Sequence, residues 1–205
     1  MVKELSEMTL EELWELFPII LKDYNPNYPL WYEIEKEKLV RNLNPDTIVR
    51  ISHIGSTAVP GLLSKPIIDI LMEVSKESDV KLLTDLLKKM NWILMNSSNK
   101  PSFNQTYNKG YTKYGFEEKV YHLHVRYFDD WNELYFRDYL IDHPSIAKEY
   151  AGLKKRLKEK HEHDRDAYTD AKEEFVLHYS ALAKIQYLDR YKPSDWFEKL
   201  NKVGR

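Results

Sequence analysis

The sequence predicts an α+β fold of α/β-like character, in which helices flank a mixed β-sheet and a helical region follows. Three segments have the alternating or continuously apolar pattern typical of strands, over residues 47–54, 66–74 and 120–127. Helical periodicity dominates the rest of the chain after them. We therefore expect an α/β core over residues 1–128. A helical C-terminal region over residues 129–205 packs against it, as part of one continuous domain or as a second one.

The composition excludes several classes of protein. The chain has 205 residues and no cysteine, which excludes disulfides, thiolate metal sites and cysteine nucleophiles. Its 31 basic and 33 acidic residues give a net charge of −2, which argues against a general nucleic-acid-binding protein. No window approaches the roughly 18 consecutive apolar residues of a membrane span, and residues 1–13 lack the pattern of a signal peptide. We expect a cytoplasmic protein with no membrane partner, and the sequence leaves its oligomeric state open.

Helix and turn signals separate the strands of the first half of the chain. Thr9 has the character of a helix N-cap, because acidic residues and then apolar residues at helical spacing follow it. Residues 25–29 are rich in turn formers and indicate a loop. Further helices are expected over residues 31–43 and about 78–90. Residues 92–96 and 102–107 suggest further strands or a hairpin around 108–110.

The second half of the chain has signals for consecutive helices. Asp129 or Asp130 could cap the first of them, and Pro144 suits the first turn of the next. That second helix carries a highly charged face, which we expect to be exposed. Asp164 or Asp166 is expected to cap a final helix. The expected helices reach Leu140, run from 144 to about 160, and run from 167 to about 191.

Alternation along residues 66–74 separates two faces of one strand. Side chains in a strand point to opposite faces in turn, so Asp69, Leu71 and Glu73 share one face. The apolar side chains on the other face should pack on helices. They are Ile68, Ile70, Met72 and Val74.

The same alternation applies to residues 120–127, where His122, His124 and Arg126 share one face. Two histidines at positions i and i+2 can contact the same metal ion or the same anion. The alternative is that they form hydrogen bonds across the sheet. We expect this strand to lie beside Asp69 and to complete the polar face.

The most informative segment is the Gly55-Ser56 turn and the strand that follows it. Glycine tolerates a positive φ and lets backbone amides and a neighbouring hydroxyl approach phosphate oxygens closely. Asp69 follows about a dozen residues later, and a carboxylate on a rigid strand can hold Mg²⁺. The alternative is a tight turn before a buried strand whose aspartate is paired.

Residues 53–70, HIGSTAVPGLLSKPIIDI, closely resemble the signature of the GrpB family, bacterial proteins with a nucleotidyltransferase-like fold. Residues 122–125, HLHV, resemble a later segment of that family. Further similar segments run from residues 136–140 through His143-Pro144 and Tyr150 to residues 164–172. The resemblance covers about residues 30–180 and implies a nucleotidyltransferase-like fold.

The first functional hypothesis is metal-dependent nucleotidyl transfer from a nucleoside triphosphate to a small-molecule acceptor. The Gly-Ser turn, with Thr57, would hold the phosphates, and Asp69 would bind Mg²⁺ or another divalent metal. His124 would stand where catalytic nucleotidyltransferases often have a third carboxylate. The side chains expected to stabilise charge on the leaving pyrophosphate are Lys65, Arg126 and Lys172. For Lys172, an exposed surface position is the alternative.

One departure from the wider superfamily opposes this hypothesis. Catalytically active members usually carry Asp-x-Asp or Asp-x-Glu on the strand, whereas Leu71 stands at the second position here. Two-metal catalysis needs ligands that bridge both ions, and leucine cannot supply one. Glu73 lies roughly 13 Å from Asp69 at a rise of about 3.3 Å per residue, which makes it a poor substitute.

Two alternatives therefore stay open. The first is a nucleotide- or phosphoester-binding protein without transferase activity. The second is a hydrolase or lyase, in which Asp69, His122 and His124 bind a metal and His53 acts as a general base or phosphate ligand. His53 could equally cap the turn. Convergence of His53 with the other three would favour the hydrolase, whereas Ser56 and Lys172 facing one anion pocket would favour nucleotide binding.

Overall fold

Five strands form one mixed β-sheet in the computed structural model, which describes residues 2–44 and 46–193. The strands are β1 (Ile48–Ile54), β2 (Ile67–Val74), β3 (Ile93–Ser98), β4 (Asn104–Thr112) and β5 (Gly115–Tyr127). Their order across the sheet is β1-β2-β5-β4-β3. β2 and β5 run parallel, and the other neighbouring pairs run antiparallel. The predicted mixed sheet is confirmed.

Seven α-helices accompany the sheet in the described residues. They are α1 (Leu10–Leu16), α2 (Tyr28–Asn42), α3 (Val80–Lys89), α4 (Asn132–Asp142), α5 (Pro144–His161), α6 (Arg165–Asp170) and α7 (Glu173–Tyr187). Thr9 caps α1 as predicted, since its hydroxyl accepts from the backbone N–H of Glu12. Asp164 caps α6 in the same way. Within this part of the chain, no helix combines the length and the apolar character that crossing a membrane requires.

One face of the sheet buries the main hydrophobic core. The predicted apolar face of β2 lies here, and its four side chains are fully buried against α2 and α3. These side chains are Ile68, Ile70, Met72 and Val74. Burial of this continuous face orients β2. The residues that alternate with these four, namely Asp69, Leu71 and Glu73, therefore point to the opposite face of the sheet.

The opposite face is covered in part by the C-terminal helices. Leu71 is fully buried there against Ile54 and Leu134 of α4. A second cluster joins the loop after β1 to α4 and α5 through Val59, Leu62, Phe136, Leu140 and Tyr150. These contacts cover the sheet around Leu71 and leave a cavity at the end where Asp69 lies.

The hairpin turn lies further along the chain than the sequence predicts. Residues 108–110 belong to β4, and the turn connects Thr112 to Gly115. Phe116 packs against Phe17 with ring centroids 5.0 Å apart, and Tyr111 packs against the same ring at 4.9 Å. These aromatic contacts extend both strands, so tertiary packing outweighs the local turn preference of residues 108–110.

Several helix boundaries also differ from the predictions. The expected helix over 167–191 is two helices, α6 and α7, joined at Ala171-Lys172, and α7 ends at Tyr187. α2 begins at Tyr28 rather than 31, because Pro29 occupies its first turn, where no backbone N–H is needed. Neither predicted aspartate caps α4, whose N-cap is Trp131.

A buried ion pair ties the polar face together at the end remote from the cavity. Arg50 of β1 and Glu73 of β2 form two hydrogen bonds, and their side chains are only 3% and 0% exposed. Arg50 also donates to the carbonyl of Asp129 at 2.8 Å, beyond the end of β5. Glu73 accepts from the backbone N–H of Asp129 at 3.3 Å. The pair therefore fixes β1, β2 and the chain that leads into α4.

We predict that Glu73→Gln lowers the free energy of unfolding by about 3–5 kcal/mol, because it removes one charge of a buried ion pair. Urea denaturation of the wild type and the variant measures this difference. The control is Glu33→Gln, which removes an exposed ion pair with Lys36 and should cost less than about 1 kcal/mol. Equal losses in the two variants would contradict a clamping role for the buried pair.

Candidate functional site

Parallel pairing of β2 and β5 assembles the acidic part of the site. The register places Asp69 opposite His122 and Leu71 opposite His124. The Nδ1 atom of His122 lies 3.1 Å from Oδ1 of Asp69, and Nε2 of His124 lies 4.0 Å from the same oxygen. The prediction that the two histidines lie beside Asp69 is therefore confirmed.

The Asp69 side chain is ionised, because its neighbours stabilise the carboxylate form. Burial acts to raise the pKa of its carboxyl, but the hydrogen bond from His122 lowers it. His124 and Lys65 add to that lowering, so the pKa of Asp69 lies below its ordinary value. Burial is also the main reason that the pKa values of His122 and His124 are lowered.

A chain of hydrogen bonds fixes the orientation of His122. Since Asp69 is ionised, it accepts from Nδ1 of His122, which leaves Nε2 of the neutral ring as an acceptor. The hydroxyl of Tyr111 lies 2.7 Å from that Nε2 and donates to it. Arg165 in turn donates to the hydroxyl oxygen of Tyr111 at 3.1 Å. Both ring nitrogens of His122 are therefore occupied.

The Gly55-Ser56 turn packs directly against the carboxylate. Gly55 has a φ of +69°, and a Cβ atom at this position would collide with Asp69 Oδ2. Glycine is required here by the backbone conformation and by the close approach. The turn continues through residues 56–58 as a short 3-10 helix, which brings Ser56 to the cavity wall.

His53 lies beside this turn and has a structural role there. Its ring stacks on Tyr32 with centroids 4.8 Å apart, and its Nε2 lies 3.0 Å from Oγ1 of Thr57. The Thr57 hydroxyl donates to the carbonyl of Ile67, so it accepts from His53. Burial lowers the pKa of His53 to about 4, which keeps the ring neutral. The structure does not bring His53 into the cavity with Asp69, His122 and His124.

Four basic side chains from separate elements face the Asp69 cavity, which has a volume of about 520 Å³. They are Lys65 from the loop before β2, Lys154 from α5, Arg165 from α6 and Lys172 from the α6–α7 junction. Lys154 is only 3% exposed, and its Nζ donates to Oγ of Ser56 at 3.0 Å and to the carbonyl of Leu63. It therefore ties α5 to the Gly-Ser turn.

Lys65 and Lys172 both lie against the ring of Tyr168, which is buried. Their Nζ atoms lie 5.7 Å and 4.3 Å from its ring centroid. Cation–π contacts of this kind stabilise an ammonium group that is partly withdrawn from water. Among residues 2–44 and 46–193, no carboxylate oxygen lies within 4.0 Å of any of the four basic groups.

The pKa values of the three lysines consequently lie close to neutral pH. Burial, followed by the nearby charges of Arg165 and Lys172, lowers the pKa of Lys65 to about 7. Burial, followed by the charges of Lys172 and Lys65, lowers the pKa of Lys154 to about 7. Burial also lowers the pKa of Lys172 to about 8. The charge of Asp69 opposes this lowering for Lys65 and Lys172, but no described carboxylate lies close enough to form an ion pair with the cluster.

The structure assembles most, but not all, of the predicted residues. Eight of them line the cavity, namely Gly55, Ser56, Thr57, Lys65, Asp69, His122, His124 and Lys172. Arg126 lies outside it, where its guanidinium pairs with Glu133 at 2.8 Å and covers the ring of Trp131. Ser56 and Lys172 therefore face one pocket, whereas His53 does not converge on it.

Sequence reasoning missed Lys154, Arg165 and Tyr111. Lys154 belongs to a helix whose charged face we expected to be exposed, and its burial comes from packing on the loop after β1. Arg165 lies in a charged run that resembles a solvated turn. Tyr111 directly follows residues 108–110, where the sequence suggests a hairpin. Only a pairing of β4 with β5 could have placed it beside His122.

The donor set does not fit the predicted metal site. Asp69 is the single carboxylate on its part of β2, and Leu71 is apolar and buried. Both nitrogens of His122 are already engaged in hydrogen bonds. In the part of the chain that the structure describes, no three His, Cys, Asp or Glu side chains are grouped to hold a metal ion. The predicted set of Asp69, His122 and His124 is therefore not arranged as a metal site.

We predict that Tyr111→Phe raises the pKa of His122, because it removes the donor that stabilises the unprotonated Nε2. An NMR titration of the histidine ring protons measures the change. Tyr114→Phe is the matched control, since Tyr114 is 76% exposed in the neighbouring hairpin turn. An unchanged or lower pKa of His122 in Tyr111→Phe would contradict the assigned direction of the hydrogen bonds.

Comparison with known proteins identifies relatives of this chain. It matches the family model described as GrpB protein over residues 18–181. YqkA of Bacillus subtilis is 34% identical over 158 residues, which are 75% of this chain and 43% of YqkA. The chain thus spans less than half the length of that relative. The glutamate-rich protein GrpB of Alkalihalophilus pseudofirmus is 35% identical over 162 residues, which are 77% of this chain and 91% of that protein.

A solved structure of a GrpB protein gives the same relationship. The crystal structure of GrpB from Enterococcus faecalis aligns with a TM-score of 0.71 at 31% identity, over 82% of this chain and 99% of its own. A crystal structure of the Cid1 poly(U) polymerase aligns with a TM-score of 0.43 at 9% identity, over 79% of this chain and 51% of its own. The predicted resemblance is confirmed by the family match and by the shared fold of the Enterococcus protein. The chain belongs to the GrpB family.

Proposed function

We propose that the cavity binds a phosphorylated small molecule, with a nucleoside triphosphate as the class to test first. The observation that carries this proposal is the cluster of Lys65, Lys154, Lys172 and Arg165, which has no carboxylate partner within 4.0 Å in the described residues. Withdrawing cations from water costs free energy unless an opposite charge compensates them. A bound polyanion would supply that compensation.

The number of positive groups in the cavity favours phosphate over a simple carboxylate as the ligand. Four positive groups surround the space beside the Gly55-Ser56 turn, and one carboxylate ligand would neutralise only one of them. A chain of phosphates carries several charges and several acceptor oxygens. Lys172 and Lys65 would act as compact point charges on that chain, since lysine carries its charge on a single nitrogen.

Asp69 and the histidines would form the other end of the site. Asp69 repels an anion, so the phosphates would lie on the lysine side of the cavity, away from β2. The neutral imidazole of His124 faces the same space and can donate or accept one hydrogen bond. It would contact an uncharged part of the ligand, such as a hydroxyl.

Nucleotidyl transfer to a small-molecule acceptor is the second candidate. One observation favours it, namely that Asp69, the Gly55 turn and the lysine cluster share one cavity. The donors in this cavity do not fit magnesium. The two candidates share the ligand and differ in whether Asp69 acts on it, so binding is the property to test first.

We predict that ATP, GTP, CTP or UTP raises the thermal unfolding temperature of the wild type and that Lys172→Met abolishes the shift. A ligand at about 100 times its Kd should stabilise the folded state by about 2.7 kcal/mol. Lys172 makes a cation–π contact with Tyr168, and a methionine of similar length preserves most of that packing. Thermal shift titrations with each nucleotide and with inorganic tripolyphosphate, with and without Mg²⁺, measure the effect.

The control for this experiment is Lys155→Met, which removes an exposed lysine from α5 beside the buried Lys154. It should leave the nucleotide-induced shift unchanged, because screening weakens the field of an exposed charge. The proposal fails if neither the nucleotides nor tripolyphosphate shifts the unfolding temperature of the folded wild type. An equal loss in both variants would mean that only overall charge matters.

We also predict that the affinity for tripolyphosphate falls as the pH rises from 7 to 9. The pKa values of Lys65 and Lys154 are about 7 and that of Lys172 is about 8, so the free cluster loses protons across this range. An anion favours the protonated lysines, and its binding must therefore take up protons. Calorimetry in buffers of different ionisation enthalpy measures that uptake. Affinity that is constant from pH 7 to 9 would contradict it.

A further inference from the structure

A second, apolar groove lies on the other side of the wall formed by Arg165. It has a volume of about 910 Å³ and runs between the N-terminal segment with α1 and the sheet edge at β3 and β4. Its apolar and aromatic lining consists of Leu5, Leu10, Leu13, Trp14, Phe17, Ile93, Leu94, Met95, Tyr111 and Tyr114. Several of these side chains are unusually exposed, including Met95 at 57% and Leu10 at 51%.

The groove adjoins the cationic cavity, and the side chain of Arg165 lies between them. Asn108, Arg165 and Asp166 line both spaces. Tyr111 lines the groove while its hydroxyl binds His122, which lines the cavity. A single molecule that passes Arg165 would therefore meet lysines at one end and aliphatic and aromatic side chains at the other.

The two walls of the groove are held in place by contacts between them. Phe17 at the end of α1 packs against both Tyr111 and Phe116 of the hairpin. Glu4 forms an ion pair with Lys113 at the hairpin turn. The groove is thus shaped before any ligand arrives, which lowers the entropic cost of binding.

We infer that the ligand is an amphipathic organic phosphate, with its phosphates in the lysine cavity and an apolar or aromatic body in the groove. This inference rests on the proposed function and specifies its substrate class. The apolar groove would contribute affinity through burial of hydrocarbon, whereas the lysines would select the charged group. Both volumes lie within the range of about 300–1,000 Å³ that is usual for small-molecule sites.

A homologous series of n-alkyl diphosphates tests the inference, with inorganic pyrophosphate as the head group alone. Isothermal titration calorimetry on the full chain would give the Kd for each chain length from ethyl to octyl. Once the alkyl chain passes Arg165 and enters the groove, each further methylene should tighten binding about three- to fourfold. That factor corresponds to about 0.8 kcal/mol for each buried methylene.

Three variants of matched exposure locate the effect. Leu10→Glu and Met95→Glu place a carboxylate on the two walls of the groove, and Leu177→Glu places one on α7, which contributes no residue to the lining. The three leucine and methionine side chains are 51%, 57% and 53% exposed, so the fold should tolerate each change. Both groove variants should weaken octyl diphosphate about tenfold or more relative to pyrophosphate, because they bring a charge to buried hydrocarbon. The Leu177 variant should leave that ratio unchanged.

The outcomes separate the inference from the proposed function. If pyrophosphate binds and the Kd values of the alkyl diphosphates do not depend on chain length, the inference is overturned and the proposed function stands. No binding by pyrophosphate or by any alkyl diphosphate would overturn the inference, and it would overturn the proposed function as well if the nucleotides and tripolyphosphate also fail to bind. A Kd that stays constant along the series, together with a dimer in analytical ultracentrifugation that Met95→Glu dissociates, would also overturn the inference. A second copy of the chain would then occupy the groove.

Discussion

The parallel pairing of β2 with β5 is the constraint on which the rest of this molecule depends. It joins residues separated by more than fifty positions and sets Asp69 directly beside His122. A shift of the register by one residue would turn every side chain of β2 to the other face and bury Asp69 in the main core. The apolar residues Ile68 and Ile70 prevent this shift, because they are fully buried against the helices of the opposite layer. The site is therefore held by the hydrophobic core behind it.

The cations of the site depend on a different part of the fold. Lys154 and Lys172 come from the C-terminal helices, and each reaches the cavity only when those helices pack on the loop after β1. The acidic end is thus built by the sheet, and the basic end is completed by helices that follow it in the chain. Lys154 links the two, since it donates to Ser56 in the Gly-Ser turn. A sheet without its C-terminal helices would lack most of the positive charge.

The sequence predicts the residues whose placement follows from strand alternation, and it fails where tertiary packing decides. Asp69, His122 and His124 could be placed on one polar face because a strand has a period of two residues. His53 could not be excluded from the site in this way, since its stacking on Tyr32 depends on how α2 crosses β1. The burial of Lys154 has no local signal at all, because neighbouring lysines on α5 are exposed and chemically identical. Aromatic packing on Phe17 likewise moved the hairpin turn beyond residues 108–110.

The replacement of a second carboxylate by Leu71 has a consequence for the charge balance of the whole cavity. In two-metal sites, paired carboxylates hold divalent ions, and those ions neutralise the phosphates. Here the cavity carries four basic groups around one acidic strand position, so the protein itself supplies the positive charge. A divalent cation entering alone would meet these like charges, whereas a polyanion would be attracted by all of them. On the proposed function, the lysine cluster therefore performs the neutralisation that metal ions perform in two-metal enzymes. This arrangement requires the lysines to lack carboxylate partners in the free protein, and burial without such partners lowers the pKa values of Lys65 and Lys154 to about 7.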